Sequence, residues 1–313
     1  MELRQLRYFV AIVDHGSLSR AARVLHIAQP ALTQQLRQLE QELGAQLLHR
    51  SAQGVLSTDA GTLFYEHAQA ILKQVGDAKS AVTQSLHTPT GTVALGLPQS
   101  ISGALALPLL IAVRETYPDI TLQLTEELSG SLIEQLKSGR INLAVLFDDG
   151  QLNAFTSTPL VEEDMMFITH SGSRFAVRGA SIALADAVKL PLILPGLQHG
   201  VRPRIEHIAR SAGLSIENVI DINSIAILKS ALMADLGATI LPVAPVLSEI
   251  ERGDMLAMPL SGAQISRTVA LCASKNIPLT NAAAAVARLV LEVTQTLCDS
   301  GRWLGAHALQ QDK

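Results

Sequence analysis

Cysteine is nearly absent: the 313 residues hold two, Cys272 and Cys298. They form no CxxC pair and no metal-ligand spacing, which excludes a disulfide framework; two buried, reduced thiols are expected. The nine histidines include no HExxH and no clustered pair, so no metal and no cofactor is implied. Long apolar runs are missing too. The longest, ALALPLLIAV at 104–113, is far shorter than the roughly 20 residues a membrane-spanning helix needs. Near the N-terminus, Glu2, Arg4 and Arg7 stand where a secretion signal would need its apolar core. The chain is therefore expected in the cytoplasm, away from membranes. Catalytic signatures are equally scarce. There is no GxSxG elbow, no GxxxxGK(S/T) phosphate loop and no GxGxxG fingerprint, and no catalytic residue is nominated.

Charge is present but unevenly placed. The whole chain carries −4, whereas residues 1–57 hold six Arg or Lys (4, 7, 20, 23, 37, 50) against four acids (2, 14, 40, 42), a local +2. A small arginine-bearing head on an acidic body suits a DNA reader joined to a sensor.

The head has a clear pattern. Leu3, Leu6, Phe9, Val10 and Val13 give a first helix, which His15-Gly16 stops. Ser17 or Ser19 can cap a short second helix carrying Leu18, Ala21, Ala22 and Leu25. A turn at 26–28 leads to a third, in which Pro30 sits in the first turn, where proline is tolerated. Leucines at 32, 36, 39 and 43 build one narrow stripe, while the rest of HIAQPALTQQLRQLEQELG carries five glutamines and Arg37. A helix needing only solubility would favour Lys/Glu pairs. With Leu36 and Leu39 turned inward, Pro30, Gln34, Arg37 and Gln41 face outward and Gln29 and Thr33 flank them. Gln pairs with adenine, Arg with guanine, and Thr can meet a base or a thymine methyl. Three short helices with such a turn are a helix-turn-helix arrangement. Beyond Gly44, AQLLHRSAQGVLSTDAG reads as a short β-ribbon wing that places Arg50 near the DNA backbone or minor groove.

The stretch YFVAIVDHGSLSRAARVLHIAQPALTQQLRQLEQELGAQLLHRSAQGVLSTDAG closely resembles the N-terminal domain of LysR-type transcriptional regulators. With SIAILKSAL further on, it is most similar to the nitrogen assimilation control branch of that family. Two positions depart from the family pattern. Ala28 replaces the usual Ser or Thr, and Leu48 replaces Phe. Losing the hydroxyl at 28 removes a helix cap worth roughly 1 kcal/mol.

Thr58 can cap a helix running to about Leu86, roughly 40 Å long. Phe64, Ala68, Ile71, Val75, Ala78 and Val82 alternate steps of four and three, the seam of a coiled coil. A helix packed on its own domain is the alternative; the resemblance favours pairing of subunits, and with it a dyad-symmetric DNA site.

In the body, strands and helices alternate. Strands are expected at 92–98, 120–126, 141–148, 190–195, 218–223, 238–242 and 266–274, with helices between them and a last helix at 280–298. Repeated βαβ units mean parallel-type sheets. The resemblance implies an α/β two-lobed, periplasmic-binding-protein-like (type II) effector domain. The expected organisation is a winged helix-turn-helix at 1–58, a linker and dimerisation helix with its hinge at 59–90, a first lobe from 91–161 and 266–300, a second from 162–265, and a C-terminal tail at 301–313.

A cleft between such lobes, with helix N-termini pointing in, suits a small anion. Candidate effector contacts are Gln99, Ser100, Ser102, Thr125 and Glu126 from one lobe, with His199, Gly200, Arg202, Asn223 and Ser224 from the other. Arg202 could grip a carboxylate, or it could form a surface ion pair. Each Ser or Asn could equally be a helix cap. Redox sensing is set aside, because Cys272 and Cys298 fall on the last strand and the terminal helix.

The expected function is sequence-specific DNA binding as a homodimer or homotetramer, tuned by a small-molecule effector and read out through DNA bending or RNA polymerase. A regulator with a vestigial cleft, acting by abundance alone, is the first alternative; an enzyme on the two-lobed body is the second.

Overall fold

A computed structural model of the chain describes residues 1–51, 54–83, 89–148, 150, 152–196 and 201–309. The backbone contacts divide it into two compact units, the head with its long helix and nearly all of the body.

In the head, α1 (Leu3–His15) begins with a Glu2–Gln5 capping box and ends at Gly16 in the left-handed region. The Ser17 side chain caps α2 (Leu18–Val24), and α3 (Gln29–Leu43) follows after four residues. Leu6, Phe9, Ile12, Leu18, Ala21, Ala22, Leu32, Leu36 and Leu39 close one core. Leu3 and Leu43, placed on the apolar stripes by spacing, are exposed; each lies in the end turn of its helix, beyond the reach of its neighbours. Strands β1 (Leu48–Ser51) and β2 (Gly54–Ser57) pair antiparallel as the wing. Leu48, the departure from the family's Phe, is buried in the same core. One carboxylate ties wing to helix: Glu40 accepts from the backbone N–H groups of Leu47 and Leu48 at 2.9 and 3.2 Å.

Thr58 accepts from the N–H of Gly61 at 2.9 Å, capping α4 (Asp59–Thr83), a rod of about 37 Å. Gly61 is required there: a Cβ would stand 1.9 Å from the Leu47 carbonyl oxygen.

In the body, the first lobe holds β3 (Gly91–Pro98), α5 (Gln99–Thr116), β4 (Ile120–Glu127), α6 (Ser129–Ser138), β5 (Leu143–Phe147) and β6 (Phe155–Asp164). The chain then crosses into the second lobe. That lobe contains β7 (Met166–His170), β8 (Ile182–Ala183), α7 (Leu184–Ala187), β9 (Leu192–Leu194), α8 (Val201–Ser211), β10 (Val219–Asp221) and α9 (Ile225–Met233). It continues with β11 (Thr239–Leu241), a 3-10 turn (Ala244–Val246), α10 (Leu247–Glu251) and β12 (Met255–Ser261). The return is β13 (Ser266–Ser274), followed by α11 (Asn281–Asp299) and β14 (Ala306–Ala308).

The first sheet runs β14-β6-β13-β5-β3-β4. Only β4, β3 and β5 are parallel; β13 lies antiparallel to β5 and β6, and β14 to β6. The parallel-type expectation therefore holds for β3, β4 and β5, for β9 with β10 and for β8 with β12, but not for β13 and β14, nor for β7, which lies antiparallel to β11 and β12. In the first lobe the reason is the crossing: β6 leaves the lobe and β13 re-enters it, so they run in opposite directions. The second lobe contains a sheet in the order β11-β7-β12-β8 and the pair β10-β9.

The C-terminal tail expected at 301–313 is also corrected as far as residue 309. Trp303 is buried against the first lobe and β14 extends its sheet; residues 310–313 lie outside the described set.

Candidate functional site

Sequence places two sites, and the structure assembles each differently. On α3, the buried stripe is Leu32, Leu36 and Leu39. Gln29, Pro30, Gln34, Arg37 and Gln41 are all exposed, forming one polar strip. Thr33 departs from this pattern: it is half-buried, and its hydroxyl oxygen is turned inward with no hydrogen-bond partner. A base contact by Thr33 therefore needs its second rotamer, which threonine populates readily in helices. The side chain of Arg50 and the wing tip at 52–53 lie outside the described residues.

Ala28 is the N-cap of α3, and no side chain bonds the free N–H groups of the first turn. Ala28→Ser is expected to raise the unfolding free energy of the head by about 1 kcal/mol. Thermal denaturation of the two forms checks this; equal midpoints would mean the first turn is already satisfied.

The α4 seam is split. Phe64 and Ala68 belong to the head's own core, and the Phe64 ring meets Phe9 edge-on at 5.1 Å. Ile71 and Val82 remain 38% and 87% exposed, with Val75 half-buried and Ala78 exposed. The first turns of the helix thus follow the alternative reading, packing on their own domain.

In the body, α5 starts directly at the end of β3, and Pro98 at its N-cap supplies no side-chain bond. The candidate residues around this helix start are engaged internally. Ser102 donates to the Glu126 carboxylate. The Ser100 hydroxyl accepts from Arg267 at 3.1 Å. Gln99 and Thr125 are half-buried beside them. In the second lobe, Ser224 caps α9 through the Ile227 N–H, and the Asn223 side-chain oxygen accepts from the Gly196 N–H at 2.7 Å. Arg202 is taken by Glu206 at 2.8 Å and by Asp221. The reading of Arg202 as a free carboxylate grip is corrected: two acids within reach already hold the guanidinium. His199 and Gly200 lie outside the described residues.

Sequence reasoning missed the group beneath Ser100. Arg267, at the start of β13, is 5% exposed, and Glu163, near the end of β6, 1%. Arg267 donates to Glu163 at 2.8 Å through Nε, and its Nη2 lies 2.7 Å from the same oxygen. The guanidinium stacks 3.8 Å over the Phe147 ring. Trp303 Nε1–H donates to the other Glu163 oxygen at 3.0 Å. Burial holds the Arg267 guanidinium below its usual range, against the opposing pull of Glu163. Both strands that join the lobes thus meet in one dry ion pair, which touches the start of α5.

The thiols are unsuited to signalling. Burial, aided by Asp148, pushes Cys272 up to about 12; burial with Asp299 and Glu163 pushes Cys298 up to about 11. Both stay protonated at neutral pH, and thiolate is the reactive form. Among the described residues no acid, histidine or cysteine group is arranged to hold a metal ion, and no helix is long and apolar enough to cross a membrane.

A winged helix-turn-helix carrying an outward polar strip, followed by a long helix and a two-lobed α/β body, defines a DNA-binding regulator with an effector-binding domain. Residues 3–62 match the bacterial regulatory helix-turn-helix protein, lysR family, and residues 87–295 the LysR substrate binding domain. The chain belongs to the LysR family of transcriptional regulators, which are not enzymes. It is 40% identical over 243 residues to the nitrogen assimilation regulatory protein nac of Klebsiella aerogenes, covering 77% of this chain and 78% of that one. Among solved structures it is similar to full-length OxyR from Pseudomonas aeruginosa, with a TM-score of 0.70 at 21% identity over 100% of this chain and 99% of that one. It also superposes on full-length CbnR complexed with its target DNA, with a TM-score of 0.69 at 22% identity over 95% and 99% of the two chains. These two likenesses show the fold.

Proposed function

We propose that the chain binds a dyad-symmetric DNA site as a homodimer, or as a tetramer built from two, with α3 in the major groove and the wing alongside. The exposed strip on α3 carries this reading. Gln29, Gln34 and Arg37 reach base edges, Pro30 and the first turn lie against a phosphate, Thr33 turns outward on contact, and Arg50 follows the backbone. Subunits pair through the free part of the seam, Ile71, Val75, Ala78 and Val82, because apolar side chains this exposed on a long helix gain by mutual burial. Replacing Ile71 and Val82 together with aspartate is expected to shift the protein toward monomer in sedimentation and to abolish cooperative operator binding. An unchanged oligomer would refute the seam.

A small anionic effector enters at the start of α5, where no side chain caps the first N–H groups and Ser100 rests on Arg267, with Gln99 and Thr125 as further contacts. Its binding shifts the lobes and hence DNA bending or contact with RNA polymerase, provided it favours one quaternary state over the other.

One observation favours a second reading, a regulator set by its own abundance. Arg202, Asn223, Ser100, Ser102 and Ser224 are all partnered within the chain, so an anion must displace existing bonds to enter. Thermal unfolding across a library of small carboxylates separates the two. A true effector at about 100 times its Kd adds about 2.7 kcal/mol; no shift with any of them supports the effector-free regulator.

A further inference from the structure

Directed bonds hold the wing at a fixed angle to α3. Its strands are four residues each, and a lone two-stranded hairpin is marginally stable at best in water. Leu48 and Val55 pack into the head's core, but apolar burial has no direction; hydrogen bonds to backbone groups supply it. Glu40, half-buried in the last turn of α3, acts where β1 begins. Through one oxygen, Oε1, it accepts from the N–H groups of Leu47 and Leu48 at 2.9 and 3.2 Å. On β2, the Val55 N–H donates to the Gly16 carbonyl oxygen at 3.0 Å. Gly54 passes so close that a Cβ there would stand 2.6 Å from the same oxygen. At the base, the Thr58 hydroxyl donates to the Gln46 carbonyl oxygen at 2.7 Å. The entry to the wing is thus tied to α3, and its return to the turn between α1 and α2.

We propose that Glu40 is a positioning residue of the DNA interface, setting the spacing between α3 in the major groove and the wing on the neighbouring backbone. The inference rests on the reading of α3 and the wing as the elements that meet DNA. Glu40 acts through the wing and not by touching DNA. Because its carboxylate holds the first N–H groups of the hairpin, the wing arrives already placed, and binding spends nothing on ordering it. A carboxylate suits the task, since bonds from N–H groups to an ionised acceptor are the stronger kind. The same commitment frees a second residue. Arg37 stands three positions before Glu40, where opposite charges on a helix ordinarily pair. With Glu40 engaged by the wing backbone, Arg37 makes no ion pair among the described residues and stays available for a base.

Hydroxyl-radical footprinting and salt-dependent binding of the full-length protein test this, on the genomic DNA fragment it selects most strongly. Glu40→Ala is expected to bind about tenfold more weakly, with the salt slope reduced by about 0.9 for each phosphate contact the wing gives up. Backbone protection should be lost beside the major-groove contacts alone, with base preference unchanged. Glu40→Gln keeps the accepting oxygen and should stay within about twofold of the native affinity. Gly54→Ala, which pushes the other strand off Gly16, should reproduce the alanine pattern from the opposite side. Native affinity, slope and protection in Glu40→Ala would overturn the proposal, as would Glu40→Gln as weak as the alanine variant. A changed base preference in Glu40→Ala would also overturn it, by placing the effect on α3 itself. Arg50→Ala separates the two readings. Protection lost in Arg50→Ala but kept in Glu40→Ala overturns the positioning role alone; no wing protection even in the native protein overturns the wing contact as well.

Discussion

Replacing Arg267 with methionine is expected to destabilise the body by about 3–5 kcal/mol, and adding Glu163→Gln to restore most of that loss. The single change strands a carboxylate in the core. Glu163 is 1% exposed, so water cannot replace the guanidinium, and the Trp303 N–H covers only one of its two oxygens. The double variant removes both charges. Glutamine still accepts from Trp303, and methionine still packs over Phe147. Strong non-additivity is the signature of a direct pair. Trp303 is the chain's one tryptophan and belongs to the cluster, so its fluorescence during urea unfolding reports on the right place. Wild-type unfolding of Arg267→Met, or losses that simply add, would show that the pair does not hold the lobe together.

Arg37→Ala is expected to cost about 1–3 kcal/mol of specific DNA binding and to relax base preference at one position in each half-site. Arg37 is exposed on the outer face of α3, one residue beyond the buried Leu36, and it makes no ion pair among the described residues. Its removal should leave the head's fold untouched and the oligomer intact. Competition binding with single-base operator variants distinguishes the cases. A uniform loss across all sequences, with a shallower salt dependence, would make Arg37 a phosphate contact. An unchanged affinity and preference would mean that α3 is turned differently on the DNA.

How far the sequence reveals these sites depends on whether the chemistry is local. The face of α3 is legible because one helix carries both the leucine stripe and the amides, and its period decides which side is free. The Arg202–Glu206 pair was legible in principle, since i,i+4 spacing on a helix brings such charges together; Asp221, which completes the clamp, comes from a separate strand. The buried pair of Arg267 and Glu163 could not be read this way. Its members are 104 residues apart and meet only because β6 and β13 both carry the chain between lobes. A trace of it exists in the sequence: Arg267 is the only charge in SRTVALCAS, an otherwise strand-like run. Strands β6, β7, β8, β12 and β14 are not legible in the sequence because each is fixed by pairing with a segment far away in the chain, as β6 with β13 and β7 with β12. On α4 the heptad spacing picks out one apolar stripe, but spacing cannot say whether Phe64 packs on Phe9 or on a partner.

The most direct test of the central claim is selection of genomic DNA fragments by the purified full-length protein at stated ionic strength, since phosphate contacts make affinity depend on salt. Recovery of a dyad-symmetric motif, persisting as salt rises toward physiological levels, is the predicted result. Weak binding without sequence preference, vanishing as salt rises, would contradict it and reduce the glutamine face of α3 to a solvated surface.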